Sequence, residues 1–168
     1  GTLGQVYAYQ QRFREAEQWT ARALEIFEKG GDPERTATAL NNLGYIRDFQ
    51  ERRRDAERDY RRALEINEKH LRKDHPSVGE VCANLGLLLQ TTGRLDEAET
   101  VLRKAVGIAN ANPSEGANLA YALNNLGSVL NAKGKPGEAE PLFAKAASLF
   151  EKAFGPEHLL LARSLRRR

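Results

Sequence analysis

Paired asparagines are the residues of this chain whose chemistry repeats. The hexapeptide Ala-Leu-Asn-Asn-Leu-Gly occupies 39–44 and returns at 122–127. A primary amide carries both a donor and an acceptor, and an extended peptide backbone presents the complementary pair. Amides held in a row can therefore grip a backbone without reading its sequence. Asn42 and Asn125 are the second members of the two pairs. Asn84, directly ahead of Leu85-Gly86, holds the same place in a third segment, and Thr2 holds it in an earlier one.

Other chemistry is sparse. His70, His75 and His158 are too scattered to ligate a metal, and His75, just before Pro76, reads as a surface loop residue. Cys82 is the only cysteine, so no internal disulfide forms, and its position reads as a buried thiol without a catalytic partner. The stretch Gly-Ser-Val-Leu-Asn-Ala-Lys-Gly-Lys at 127–135 puts six residues between Gly127 and Gly134, where a phosphate loop needs four. No serine, histidine and acid form a set. The expectation is a chain without catalytic residues, metal or cofactor, and not an enzyme.

A second recurrence shows the scaffold that carries the amides. Leu-Gly occurs at 3–4, 43–44, 85–86 and 126–127, with successive glycines 40, 42 and 41 residues apart. Twelve residues after each glycine stands Ala16, Ala56, Ala98 or Ala139, and seven further on Ala23, Ala63, Ala105 or Ala146. Small residues recur because two antiparallel helices approach to ~8–10 Å only where side chains are short. Leu40, Leu43 and Ile46 line one face of a first helix, and Tyr60, Leu64 and Phe49 can fill the gaps beside it. Each unit thus reads as helix A, a short turn and helix B. Turns are expected at 10–13, 50–53, 91–94 and 132–137. Gly93 and Gly134 suit left-handed helix ends. Pro33, Pro76, Pro113 and Pro156 open new helices, where a missing N–H costs little, and Pro141 lies further inside the fourth B helix. A lone pair cannot bury its own apolar face, so the pairs must stack.

The bulk numbers exclude several classes. Lysine plus arginine number 26 against 23 aspartate plus glutamate, with both signs mixed along the chain. That argues against a nucleic-acid surface. The run 52–62 is basic but interrupted by Asp55, Glu57 and Asp59, and reads as a solvated helix face with i,i+4 pairs. No apolar run approaches the ~18 residues of a membrane span, so no membrane partner is expected. The lone cysteine and the lack of a signal peptide fit a cytoplasmic setting. The chain begins at Gly1 and has no methionine, which marks it as a piece of something longer.

The 12-and-7 spacing after Leu-Gly resembles the tetratricopeptide repeat (TPR). The period near 41, with Leu-Asn-Asn-Leu-Gly, Glu-Ala-Glu-Pro-Leu and Lys-Asp-His-Pro, resembles its longer kinesin-light-chain type, from Leu3 to about Leu165. The family's tryptophan-type position holds Leu40, Cys82 and Leu123, and Arg47 stands where a tyrosine is favoured. The resemblance implies an all-α, right-handed superhelical solenoid in one domain, with four antiparallel helix pairs plus a partial fifth helix. Its repeats would span about 1–32, 33–75, 76–112 and 113–155, with a capping helix at 157–168. It also implies that Asn42, Asn84 and Asn125 face a concave groove. Gln5, Tyr9, Asn41, Tyr45, Phe49, Leu87, Gln90, Asn124, Ser128 and Asn131 join them by register, and Tyr9, Tyr45, Phe49 and Tyr121 would be aromatic anchors. A peptide or protein segment would lie along that groove. A structural role for the asparagines, bonding one repeat to the next, is the alternative. At the level of function, the alternatives are a scaffold that self-associates end to end through faces such as Leu159–Leu161 and Leu165, and a regulatory sensor arm of a larger signalling protein.

Overall fold

The structure, a computed structural model, describes residues 2–112 and 116–155, with side chains from Arg12 onward. The described residues form α-helices and no strand: α1 Thr2–Gly30, α2 Pro33–Phe49, α3 Arg53–His70, α4 Pro76–Thr91, α5 Leu95–Ala111, α6 Gly116–Ala132 and α7 Pro136–Phe154. The expected capping helix at 157–168 lies outside the described residues. The helices gather into two compact units, Gly1–Arg72 with α1 to α3 and Lys73–Arg168 with α4 to α7.

Helix starts follow local chemistry. Asp32 caps α2 by accepting a bond from the Arg35 N–H at 3.0 Å, and Pro33 fills the first turn. His75, read from sequence as a plain loop residue, caps α4, its Nδ1 accepting from the Ser77 N–H at 3.3 Å. Pro136 opens α7, and that helix continues through Pro141.

Among the described residues three hairpins form: α2 with α3, α4 with α5, and α6 with α7. Each is centred on a glycine of the Leu-Gly motif with a large side chain of the second helix standing over it. A Cβ on Gly44 would lie 2.7 Å from the Tyr60 ring, one on Gly86 2.4 Å from Leu102 Cγ, and one on Gly127 2.8 Å from the Phe143 ring. The large residue always comes sixteen positions after its glycine. Leu40, Leu43, Tyr60, Leu85, Leu102, Leu123 and Phe143 are all buried, while Phe49, expected in a gap, is 57% exposed.

The first pair is not formed. No turn interrupts α1 at 10–13, and a single helix of 29 residues runs from Thr2 to Gly30. Two local differences account for this. The residue sixteen places after Gly4 is Thr20, too small to stand over a glycine as Tyr60, Leu102 and Phe143 do. The left-handed position of each formed turn is Glu51 (φ 61°), Gly93 (φ 80°) or Gly134 (φ 75°), and its counterpart is Gln11. A non-glycine residue there costs ~1–2 kcal/mol. At Glu51 the neighbouring Arg52 offsets that cost through bonds to Glu17, Asp55 and Gln50.

The run 52–62 also departs from a purely solvated face. Arg61 pairs with Glu57 one turn away, as expected. Asp59, however, is 4% exposed and is bonded by Arg47 from α2. The residue that replaces the family's tyrosine is thus half of an ion pair between the two helices.

Candidate functional site

The amides divide into two sets according to helix stripe. At ~100° per residue, positions i, i+4 and i+7 fall on one side. Ala37, Asn41 and Gly44 are buried together, as are Ala120, Asn124 and Gly127. Asn41 and Asn124, placed by register on an open surface, therefore sit inside the hairpin packing, at 5% and 8% exposure. The stripe one step round behaves differently. Thr38, Asn42, Tyr45 and Phe49 of α2 are all exposed.

In the first unit this stripe ends in an aromatic cluster. Tyr45 and Phe49 have ring centroids 4.9 Å apart, and Phe13 of α1 stacks on Phe49 at 5.3 Å. A hollow beside them is lined by Phe13, Arg14, Glu17 and 49–52. Within it, Glu17 accepts from Arg47 Nε at 2.9 Å and from an Arg52 Nη at 2.8 Å. Burial pushes the Glu17 carboxyl up, but the two guanidiniums outweigh it and hold the carboxyl below its ordinary value. Burial pushes the Asp59 carboxyl above its ordinary value despite Arg47.

In the second unit α4 and α6 lie side by side. Their matching stripes are Glu80, Asn84, Leu87 and Thr91, and Tyr121, Asn125, Ser128 and Ala132. Asn84, Asn125, Ser128 and Gln90 are half-buried, and Asn131 is exposed. Leu87 and Tyr121 are each 41% exposed. The Tyr121 ring is braced edge-on against Phe150 at 5.1 Å. Asn84 and Tyr121 share an apolar cleft of about 110 Å³ with Ala83, Ile108 and Ala109. The arrangement offers amides for a backbone and a hydrophobic notch for one side chain. Gln5 and Tyr9 lie in the α1 segment whose side chains are not described.

Sequence reasoning missed the acid that follows each recurring alanine. Glu17, Glu57, Glu99 and Glu140 stand thirteen residues after the four glycines. Arg52, from the α2–α3 turn, reaches back to Glu17 on α1. Likewise Lys133, from the α6–α7 turn, reaches Glu99 and Asp96 on α5, at 2.6 Å each. With Lys133 and then Arg103 beside it, the Glu99 carboxyl is held down at about 2. The first clamp joins α1 to the α2–α3 hairpin and the second joins the α4–α5 hairpin to the α6–α7 hairpin, and the signal was the acid-Ala-Glu triplet in all four repeats. Among the described residues no three His, Cys, Asp or Glu side chains converge as a metal site needs, and no helix is long and apolar enough to cross a membrane.

Comparison with known proteins agrees with the all-α repeat fold. The profile of the MalT-like TPR region matches residues 1–167. No curated protein sequence matches the chain. Among solved structures, BtubC (BKLC) from P. vanneervenii is 24% identical, with a TM-score of 0.73 over 90% of this chain and 62% of that one. A putative kinesin light chain from Podosopora anserina with nearly identical TPR-like repeats is 21% identical, with a TM-score of 0.74 over 99% and 80%. The apo form of RapI is 15% identical, with a TM-score of 0.75 over 94% and 43%. The chain thus spans about 62% of the length of BtubC and shares the repeat fold of all three.

Proposed function

Since the chain belongs to the MalT-like TPR family, matched over residues 1–167, we propose that it is a non-catalytic protein-binding module that holds an extended peptide against the amide-bearing stripes of its A-type helices. The observation that carries this reading is the pairing of α4 with α6, which puts Asn84 and Asn125 at matching, partly open positions beside the exposed Leu87 and Tyr121. The amides bond the peptide backbone, and the cleft at Asn84 and Tyr121 receives an apolar side chain. The Tyr45, Phe49 and Phe13 cluster, on the stripe that also carries Asn42, supplies a second contact of the same kind in the first unit. Solenoid repeats serve this purpose because they present extended, rigid surfaces, and aromatic anchors contribute most of the affinity in such contacts.

The test is selection from a displayed peptide library against the wild-type chain, followed by binding isotherms with the double variant Asn84→Ala, Asn125→Ala. Affinity is expected to fall at least tenfold while helicity and melting temperature stay close to wild type. A double variant that melts early assigns the asparagines to structure. Unchanged affinity removes them from the site.

A further inference from the structure

Two alanines open the cleft beside Tyr121 in the second unit. Ala83 of α4 stands three residues before Gly86, where α2 and α6 carry Asn41 and Asn124 before Gly44 and Gly127. Those two amides are buried in their hairpins. Ala109 of α5 stands twenty-three residues after Gly86, where the other repeats carry Phe27, Asn67 and Phe150. Both alanines line the cleft. A larger side chain at either place would occupy it.

The walls are fixed by packing. A Cβ on Gly79 would lie 3.0 Å from Ile108 Cγ2, so the α4 backbone rests directly on Ile108. Ile108 and Ala109 are buried. On the other side the Tyr121 ring is braced by Phe150. The opening these residues hold is about 110 Å³. A cavity of ~150 Å³ takes a benzene ring, so this one is too small for an aromatic side chain and suits the branched side chain of leucine or isoleucine. Among the described residues that line it, Glu80 alone is charged, and Glu80 is exposed. Helix α6 carries no charged residue anywhere. A charged group seated on Ile108 would lose its water without gaining a partner. An uncharged wall is matched by an uncharged occupant.

We propose, resting on the peptide-binding function given above, that the cleft is a selectivity pocket for a linear segment of a partner protein. The segment seats one branched aliphatic side chain, leucine or isoleucine, among Ala83, Ile108, Ala109 and Tyr121. Aromatic and charged residues are excluded from that place. Ala83 and Ala109 set the preference, because they are where this joint departs from the other repeats.

The test starts from binders selected out of a displayed library of random linear peptides. Each is synthesised with leucine, alanine, phenylalanine or lysine at its most constrained position. Leucine or isoleucine is expected there. Alanine should weaken binding about tenfold to a hundredfold, and phenylalanine or lysine at least as much. Ala83→Asn installs the amide that α2 and α6 already accommodate, so helicity and melting temperature should hold. With that variant the leucine and alanine peptides should bind alike. Ala109→Val narrows the same notch from α5 and should level the two peptides even if Ala83→Asn melts early. A constrained position that is aromatic or charged, no constrained position, or a leucine-to-alanine loss equal in the wild type and both variants would overturn the pocket. Where such peptides still bind at least tenfold more weakly to the double variant Asn84→Ala, Asn125→Ala, the amide reading stands without the pocket. Peptides indifferent to every variant, or a library without binders, overturn both.

Discussion

At the scale of single residues, Gly86 of the Leu-Gly motif and Gly107 do opposite things. A Cβ on Gly86 would lie 2.4 Å from Leu102 Cγ, while one on Gly107 meets nothing within 4 Å. Gly86→Ala must push Leu102, a fully buried side chain, and overpacking of that kind costs ~1–3 kcal/mol. Gly107→Ala, on the exposed side of α5, removes backbone freedom from the unfolded chain and is expected to stabilise by ~0.5–1 kcal/mol. Thermal melts of the two variants should shift in opposite directions. Equal shifts would mean that Gly86 is not the contact point of its hairpin. The asparagines follow the same logic of position. Asn41 and Asn42 are neighbours in sequence, yet one step of the helix buries the first and exposes the second.

At the scale of elements, a carboxylate and a cation join α1 to the α2–α3 hairpin and the α4–α5 hairpin to the α6–α7 hairpin. Lys133 and Arg103 hold Glu99 at about 2, below its ordinary 4.5. A carboxyl with a lowered folded-state value contributes stability in full above the unfolded value and loses it as pH falls through the folded one. The Glu99 clamp should therefore act undiminished at neutral pH and weaken between about 4.5 and about 2. Glu99→Gln is expected to lower the melting temperature at pH 7, and the gap from wild type should close on titration to pH 2. A gap that persists at pH 2 would assign the loss to packing instead of charge. The joint at Glu17 has the same design, with Arg47 and Arg52 in place of Lys133 and Arg103. Its cation comes from the turn that holds Glu51 at φ 61°, so clamp and turn support each other.

At the scale of the molecule, the two compact units meet in sequence at Arg72–Lys73. Residues 71–75 form no helix, and Arg72, Lys73 and Asp74 are exposed. The turns within the hairpins are shorter, and their basic residues Arg52, Arg94 and Lys133 each form ion pairs with neighbouring carboxylates. Brief trypsin treatment is expected to cut after Arg72 or Lys73 before it cuts after those three, releasing fragments that mass spectrometry identifies by their new ends. Earlier cleavage after Arg94 or Lys133 would show that the clamped turns open more readily than the joint.

The helix pairs after the first are legible in the residues alone. Leu-Gly, the alanines at twelve and seven, and the prolines at helix starts are local requirements of a chain that must turn and pack closely, and local requirements are written in local residues. The same register sets Asn42, Asn84 and Asn125 on one kind of stripe. Packing between distant segments settles the remainder. Whether Asn41 faces solvent, or Gly44 rests on Tyr60, depends on a helix that arrives from sixteen residues away, and the Glu17 and Glu99 clamps close only when the next pair docks. The straight α1 is the clearest case. The segments 10–13 and 50–53 both begin with Gln and carry Arg at the third place, yet only the second turns. The missing turn follows from what stands opposite it, Thr20 in place of a large side chain, and from Gln11 at the left-handed position, because a hairpin is held by the contact it closes as well as by the residues of its bend.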